Sequence, residues 1–363
     1  MRRPVGGARF PTVNAESRTA PTQVPAQRAT GQLEQMLAGV AATHSVYAVA
    51  KLGIADLLTD GPRTTEELAS LTAVDSLSLY RLLRALASVG VFTEIAPATF
   101  ALTGIAERLK TDAPDSLRAW AIFTGEIAVR CWGELMHSLR TGHPAFESVF
   151  GRSVFEHLEA HPDDAAVFDH HQAQGGLALH AAVATAYDFD AIHTIVDVGG
   201  GNGSLVAAIL KRHLGVRAAI FDLPHVIERA RAAAHPTLSS RCDYVAGSFF
   251  GAIPPGADAY VLSRVLHDWD DDRAATILAN CRRAMHAGAR LLVIERVVPR
   301  GNEPHESKFM DLNMLIITGG RERTEHEYRA LFERSGLRLD QITATRSEVS
   351  VLQVVPGEHS SLR

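Results

Sequence analysis

The 363-residue chain has little aromatic character (6%), three cysteines, and four lysines, Lys51, Lys110, Lys211 and Lys308. Cys131, Cys242 and Cys281 are odd in number, far apart and without a CxxC pair, which excludes a disulfide framework and a zinc ribbon. No apolar run approaches the ~20 residues of a membrane helix, so an integral helical membrane protein is excluded. With a net charge of -5 and a pI near 6.4, the chain lacks the basic excess of a nucleic-acid binder, whose domain pI usually exceeds ~9. These absences leave a reduced, cytoplasmic enzyme as the expectation. What is present suits one: 46% of residues are hydrophobic, enough for a full-size core, and the length exceeds the ~250–300 residues at which single cores stop growing.

Residues 1–30 hold Pro4, Pro11, Pro21 and Pro25 without apolar periodicity or the h-region of a signal peptide, and read as a disordered tail. From Gly31, Leu33, Met36, Leu37, Val40, His44 and Tyr47 recur at helical spacing. A second helix is expected over 46–58. Thr64-Thr65-Glu66-Glu67 is a capping box, and a helix capped by Asp75 should end at Gly90. Two β runs, 91–95 and 99–103, follow. Helix, turn, helix and two-stranded wing make a winged-helix pattern over 31–111. Arg81 and Arg84 alone on its second helix are too few for the phosphates of a DNA site, which favours dimerisation over DNA binding.

Residues 112–186 read as helices, with a loop over 142–151 and Pro162 near a helix start. Over 187–357 short β-rich runs (193–198, 218–222, 242–246, 257–265, 290–297) alternate with helical stretches. That is the signature of an α/β, doubly wound parallel sheet. Two last runs, 337–345 and 348–355, are separated by two residues and should form an antiparallel hairpin. Residues 358–363 complete the chain as a tail.

The run Thr194 to Gly203 places a buried strand before a glycine-rich turn. The dinucleotide pattern G-x-G-x-x-G fails in both registers, because its last position falls on Ser204 or Val206. What remains is D-x-G-x-G-x-G in Asp197, Gly199, Gly201 and Gly203, which suits a nucleoside without a pyrophosphate. One strand later, Asp222-Leu223-Pro224 offers a carboxylate for ribose hydroxyls.

With Gly247-Ser248-Phe249-Phe250, Leu266-His267-Asp268-Trp269 and the loop Gly319 to Thr324, these motifs occur in the order of the S-adenosylmethionine-dependent class I O-methyltransferases. Over about 31–357 the chain resembles the plant caffeate and flavonoid enzymes and the actinobacterial enzymes that tailor polyketides and antibiotics. The resemblance implies a Rossmann-like methyltransferase sheet, an N-terminal winged-helix domain that forms a homodimer, and a phenolic acceptor. It implies S-adenosylmethionine contacts from Gly199, Gly201, Asp222, Leu223, Ser248, Phe249, Ser263, Arg264 and Trp269, the last packing on the adenine. Three positions depart from the family pattern: Ser248 replaces a common Asp, Ser263 a common plant Lys, and Gln172 a common Met, which suggests a more polar acceptor.

Methylating a phenol of pKa ~10 at neutral pH benefits from a positioned base, and imidazole suits that work. His267 heads the segment after the fourth strand, Glu295 ends the fifth, and Glu322 lies in the loop before Thr324. All three match the family's base-and-carboxylates pattern, with the carboxylates orienting the ring. The acidic run Asp268, Asp270, Asp271, Asp272 reads as charge at a helix N-terminus, so no metal is expected. His170 and His171 read as a solvated helix face, with contact between one of them and the acceptor as the alternative. N-methylation, a non-methylating enzyme on the same fold, and more remotely a winged-helix regulator are the competing functions.

Overall fold

The structure is a computed structural model that describes residues 26–233, 238 and 240–357. The proposed tails at 1–25 and 358–363 lie outside the described residues. Residues 26–30, expected in the tail, already belong to a helix, Ala26–Lys51.

The chain divides into two units after Ala42. The described part of the first is the leading portion of that helix, where Leu33, Met36, Leu37 and Val40 are exposed. The second helix expected over 46–58 is instead the continuation of this helix to Lys51. Gly53, at φ 67, separates it from a single turn, Ile54–Leu57.

In the second unit, Thr64 and Glu67 form the capping box of helix Thr65–Thr72, and Asp75 caps helix Ser76–Ser88 through the Ser78 N–H at 2.8 Å. Leu68, Leu79, Leu83 and Leu86 face inward against a small antiparallel sheet. Its strands are β1 (Arg63–Thr64), β2 (Phe92–Ala96) and β3 (Thr99–Leu102), in the order β1-β3-β2. The loop expected over 142–151 contains a helix, Ala145–Phe150, bounded by Gly142 and Gly151 in left-handed conformation. Burial of Ala145 and Phe146 holds this short helix, and no local periodicity announces it. Pro162 opens the helix Pro162–Ala186, where its missing N–H costs nothing.

The main sheet has strands β4 (Thr194–Val198), β5 (Arg217–Asp222), β6 (Cys242–Ala246), β7 (Ala259–Ser263), β8 (Arg290–Glu295), β9 (Leu337–Ala344) and β10 (Ser350–Pro356). Their order is β6-β5-β4-β7-β8-β10-β9. β6 to β8 run parallel, and β10 is antiparallel to both β8 and β9. Strand period two sorts the side chains onto two buried faces. Val196, Tyr260, Leu262, Leu291 and Val293 pack with helices Asp271–Ala284 and Glu325–Arg334 on one face. Ile195, Val261, Leu292 and Ile294 pack with Pro162–Ala186 and Ser204–Arg212 on the other. Strand order reverses at β4, between β5 and β7. Open α/β sheets hold ligands outside the carboxyl ends of the strands at such a switch point. Among the described residues no helix is long and apolar enough to cross a membrane.

Candidate active site

The glycine turn follows β4 at that switch point. Gly199, Gly201 and Gly203 have φ of 74, 55 and 79°, a region L side chains rarely adopt. A Cβ on Gly199 would come within 2.9 Å of Val265 Cγ2, whereas one on Gly201 would meet nothing within 4 Å. The turn is thus packed below and open beside Gly201. Asp222, at the end of β5, accepts the Gly201 N–H at 2.9 Å and the Leu223 N–H at 2.7 Å. Burial raises its pKa, and these two N–H groups pull in the opposite direction. Below the turn lies Asp197, fully buried, with Oδ1 lacking any partner. Burial, and then the charge of Asp222, push its pKa to about 7.

The other residues matched to the cofactor site gather at the same sheet edge. The Phe249 ring lies beside Gly199, and Ser248 Oγ accepts the Phe250 N–H at 3.2 Å. Trp269 meets Phe249 and Phe250 edge-on at 6.0 and 4.9 Å and stacks with Phe155 at 5.6 Å. Ser263 Oγ is buried without a partner. Arg264 adopts a left-handed φ of 53° and donates from Nη1 to Gln172 Oε1 at 3.1 Å. The amide oxygen of Gln172, the residue that suggests a more polar acceptor, is thus engaged with Arg264.

These features fit a nucleoside cofactor. The cradle has an open side at Gly201, a carboxylate with lone pairs to spare at Asp222, an aromatic wall, and orphaned polar atoms on Asp197 and Ser263.

After the turn at Arg264, a 3-10 helix, Leu266–Asp268, carries His267. A helix start leaves backbone N–H groups unsatisfied. Here Glu295 Oε1 accepts three in succession, from Val265 at 3.0 Å, Leu266 at 2.9 Å and His267 at 3.3 Å. Glu295 Oε2 lies 3.5 Å from His267 Nδ1, and Glu322 Oε1 is hydrogen-bonded to Nδ1 at 3.1 Å. Asp268 Oδ1 is 3.7 Å from Nε2. His267 is 7% exposed and both glutamates are buried. Burial opposes protonation of the ring, but Glu295, Asp268 and Glu322 outweigh it and raise the pKa to about 9.

Two features of this arrangement escaped sequence reasoning. Arg323 is fully buried and donates to the carbonyls of Leu266 and Trp269 at 3.0 and 2.9 Å and to Asp271 Oδ1 at 2.8 Å. It ties the loop carrying Glu322 to both sides of His267. Gly320 backs directly onto the His267 carbonyl, and Arg321 N–H donates to that oxygen at 2.8 Å. The only local signal for Arg323 was its place beside Glu322. Of the acidic run, Asp270 caps helix Asp271–Ala284 as expected, whereas Asp268 lies beside the imidazole. His171 does not lie on a fully solvated face. It is half-buried, stacked against Trp120 and Phe123 at 6.1 and 6.4 Å.

His267, Glu295 and Glu322 present ligand atoms within 4.8 Å of one another, near enough to surround an ion. Of these donors, Glu295 Oε1 is held by three N–H groups and Nδ1 by Glu322, whereas Glu295 Oε2 and Glu322 Oε2 are buried without a hydrogen-bond partner.

Comparison with known proteins gives the family. A family model described as an O-methyltransferase domain matches residues 132–338, and one described as an O-methyltransferase dimerisation domain matches 34–112. Phenazine O-methyltransferase PhzM of Lysobacter antibioticus is 44% identical over 325 residues, 89% of this chain and 95% of that one. The crystal structure of LaPhzM superposes with a TM-score of 0.87 at 43% identity, covering 92% of this chain and 100% of that one. NcsB1, an O-methyltransferase from neocarzinostatin biosynthesis solved with S-adenosylmethionine and 2-hydroxy-5-methyl naphthoic acid, gives 0.78 at 37%, covering 87% and 96%. The chain belongs to the O-methyltransferase family and carries that family's dimerisation domain.

Proposed function

We propose that this protein transfers the methyl group of S-adenosylmethionine to a phenolic hydroxyl of an aromatic secondary metabolite, with His267 as general base. The observation that carries this reading is a buried imidazole held through Nδ1 by two buried glutamates, one turn past the strand beside the glycine cradle. Residues 31–111 serve a homodimer, for which the exposed face of Leu33, Met36, Leu37 and Val40 is suited. Residues 187–357 form the cofactor domain, and the helices of 112–186 supply acceptor contacts. The free thiols Cys131, Cys242 and Cys281 agree with a reducing, cytoplasmic setting.

Gly199, Gly201, Asp222, Leu223, Ser248, Phe249, Ser263, Arg264 and Trp269 would hold S-adenosylmethionine. When bound, it supplies an electrophilic methyl group on a sulfonium. The residues of the chain do the rest. Glu295 fixes the backbone of the His267 turn, and Glu322 accepts from Nδ1–H, which sets the tautomer and leaves Nε2 to take the hydroxyl proton. The same carboxylates then stabilise the imidazolium. Burial of the three groups keeps water from competing for the proton. No metal enters this scheme.

Incubating the purified protein with methyl-labelled S-adenosylmethionine and a panel of hydroxyarenes tests the reading. Label should appear in aryl methyl ethers, at a rate unchanged by EDTA. Label found only on amines, or no transfer at all, would overturn it.

Two predictions arise from the site geometry. Asp222→Ala removes the carboxylate assigned to the ribose. Hydrogen bonds to a charged group contribute about 1.5–3 kcal/mol each, so calorimetric affinity for S-adenosylmethionine should fall by about 10–100-fold or more. Unaltered affinity would remove Asp222 from the ribose site. The second concerns pH. With the His267 pKa at about 9, the free enzyme holds imidazolium at neutral pH. Its base form, and hence kcat/KM, should rise through pH 7–9 and level off above. Glu322→Gln deletes a negative charge that favours imidazolium, so the rising limb should shift to lower pH while the plateau falls. A limb that stays in place would show that Glu322 does not act on His267.

A further inference from the structure

The His171 side chain has no hydrogen-bond partner among the described residues. Its ring lies within 13° of parallel to Trp120 and within 17° of parallel to Phe123, and Phe168 packs on Phe123 at 5.5 Å. Neither nitrogen hydrogen-bonds to a described residue, and neither is among the fully enclosed unpaired atoms, so both remain reachable. Burial, then the charge of Arg264, lower its pKa to about 4, so the ring carries one N–H donor and one lone pair at any working pH. The next residue, Gln172, grips Arg264, three positions before His267. The ring therefore belongs to the sheet edge where the hydroxyl must be presented, on a helix that the sequence suggested was solvated there.

An imidazole whose nitrogens are unpaired within the protein yet reachable can hydrogen-bond a ligand, and a site that hydrogen-bonds a ligand group discriminates against analogues lacking it. An apolar residue would stack equally well at this position, so stacking alone does not account for an imidazole. The neighbouring guanidinium disfavours a cationic ligand.

We propose that His171 is a specificity-determining residue that reads an uncharged hydrogen-bonding atom, a ring nitrogen or a carbonyl, on a planar fused-ring acceptor. The inference rests on the aromatic-acceptor function above and narrows its substrate class to heteroaromatic or quinonoid phenols. Arg264 and Gln172 hold the helix against the strand end, and Trp120 and Phe123 keep the imidazole plane fixed.

Two ligands of one shape test this: 1-hydroxyphenazine, and 1-hydroxyanthracene, in which CH groups replace the ring nitrogens. Both are titrated into the enzyme loaded with S-adenosylhomocysteine, and both are offered for methylation with S-adenosylmethionine. The intact enzyme should bind the phenazine about 10–100-fold more tightly. His171→Phe, which preserves the stack, should bring that ratio to within about threefold and leave S-adenosylhomocysteine affinity unchanged. A ratio near one in the intact enzyme, or one that survives His171→Phe, overturns the proposal while methylation of either compound leaves the proposed function standing. Failure to bind either compound overturns this proposal, whereas the proposed function falls only if no hydroxyarene of the wider panel is methylated.

Discussion

His267→Ala is expected to lower kcat by about 10²–10⁴, the usual contribution of a positioned general base, which corresponds to about 3–5 kcal/mol of barrier. Cofactor affinity should stay within about twofold, because the ring is bound to Glu322 and Glu295 and none of the cradle contacts passes through it. The backbone around it is held independently: Glu295 Oε1 takes the three N–H groups of the turn, and Arg323 takes the carbonyls on either side. The variant should therefore fold, and its lost rate should reflect chemistry alone. Rapid-mixing measurement of one turnover separates this step from product release. Undiminished single-turnover transfer would mean that the proton leaves by another route, and the base assignment would fall.

Gly320→Ala should do comparable damage without touching any reacting group. A Cβ at that position would run into the His267 carbonyl oxygen and the Asp268 backbone, and backbone atoms do not yield as the end of a side chain does. Two responses are open to the chain. The loop can retreat, which breaks the 2.8 Å bond from Arg321 N–H to the His267 oxygen and withdraws Glu322 from Nδ1. Alternatively the 3-10 turn can shift, which strains the clamp of Glu295. Misplacing a catalytic group by about 1 Å costs about 100-fold in rate, so a loss of 10²-fold or more is expected, with a fall of several degrees in Tm. Gly319→Ala makes a useful contrast: its positive φ of 76° predicts strain, but its Cβ would face Pro144 rather than the His267 backbone. Full activity in Gly320→Ala would mean that loop and turn are not coupled as described.

The parts of this protein that were legible in its sequence are those where local chemistry leaves few choices. The glycine turn after β4 and Asp222 at the end of β5 are dictated by backbone conformation and by the need for an acceptor at a strand end. The capping box at Thr64 and the short gap between β9 and β10 are likewise local. What stayed hidden depends on residues far apart in the chain. Nothing local marks Arg323 as buried, because its partners Leu266, Trp269 and Asp271 lie 57, 54 and 52 positions away. His171 reads as solvated because its stacking partners, Trp120 and Phe123, come from a separate helix, Arg118–Phe123. The bond between Gln172 Oε1 and Arg264, 92 positions on, has no local signal either. Helix Ala145–Phe150 is too short to show a period and is held by burial of Phe146.

The account turns on where the hydroxyl is presented. A crystal structure with S-adenosylhomocysteine and an accepted phenol measures it directly. The phenolic oxygen should lie about 2.6–3.2 Å from Nε2 of His267, the reach of a general base, with the sulfur of the cofactor product on the opposite side of that oxygen. An oxygen bound more than about 5 Å from Nε2, or paired with another side chain as its proton acceptor, would contradict it.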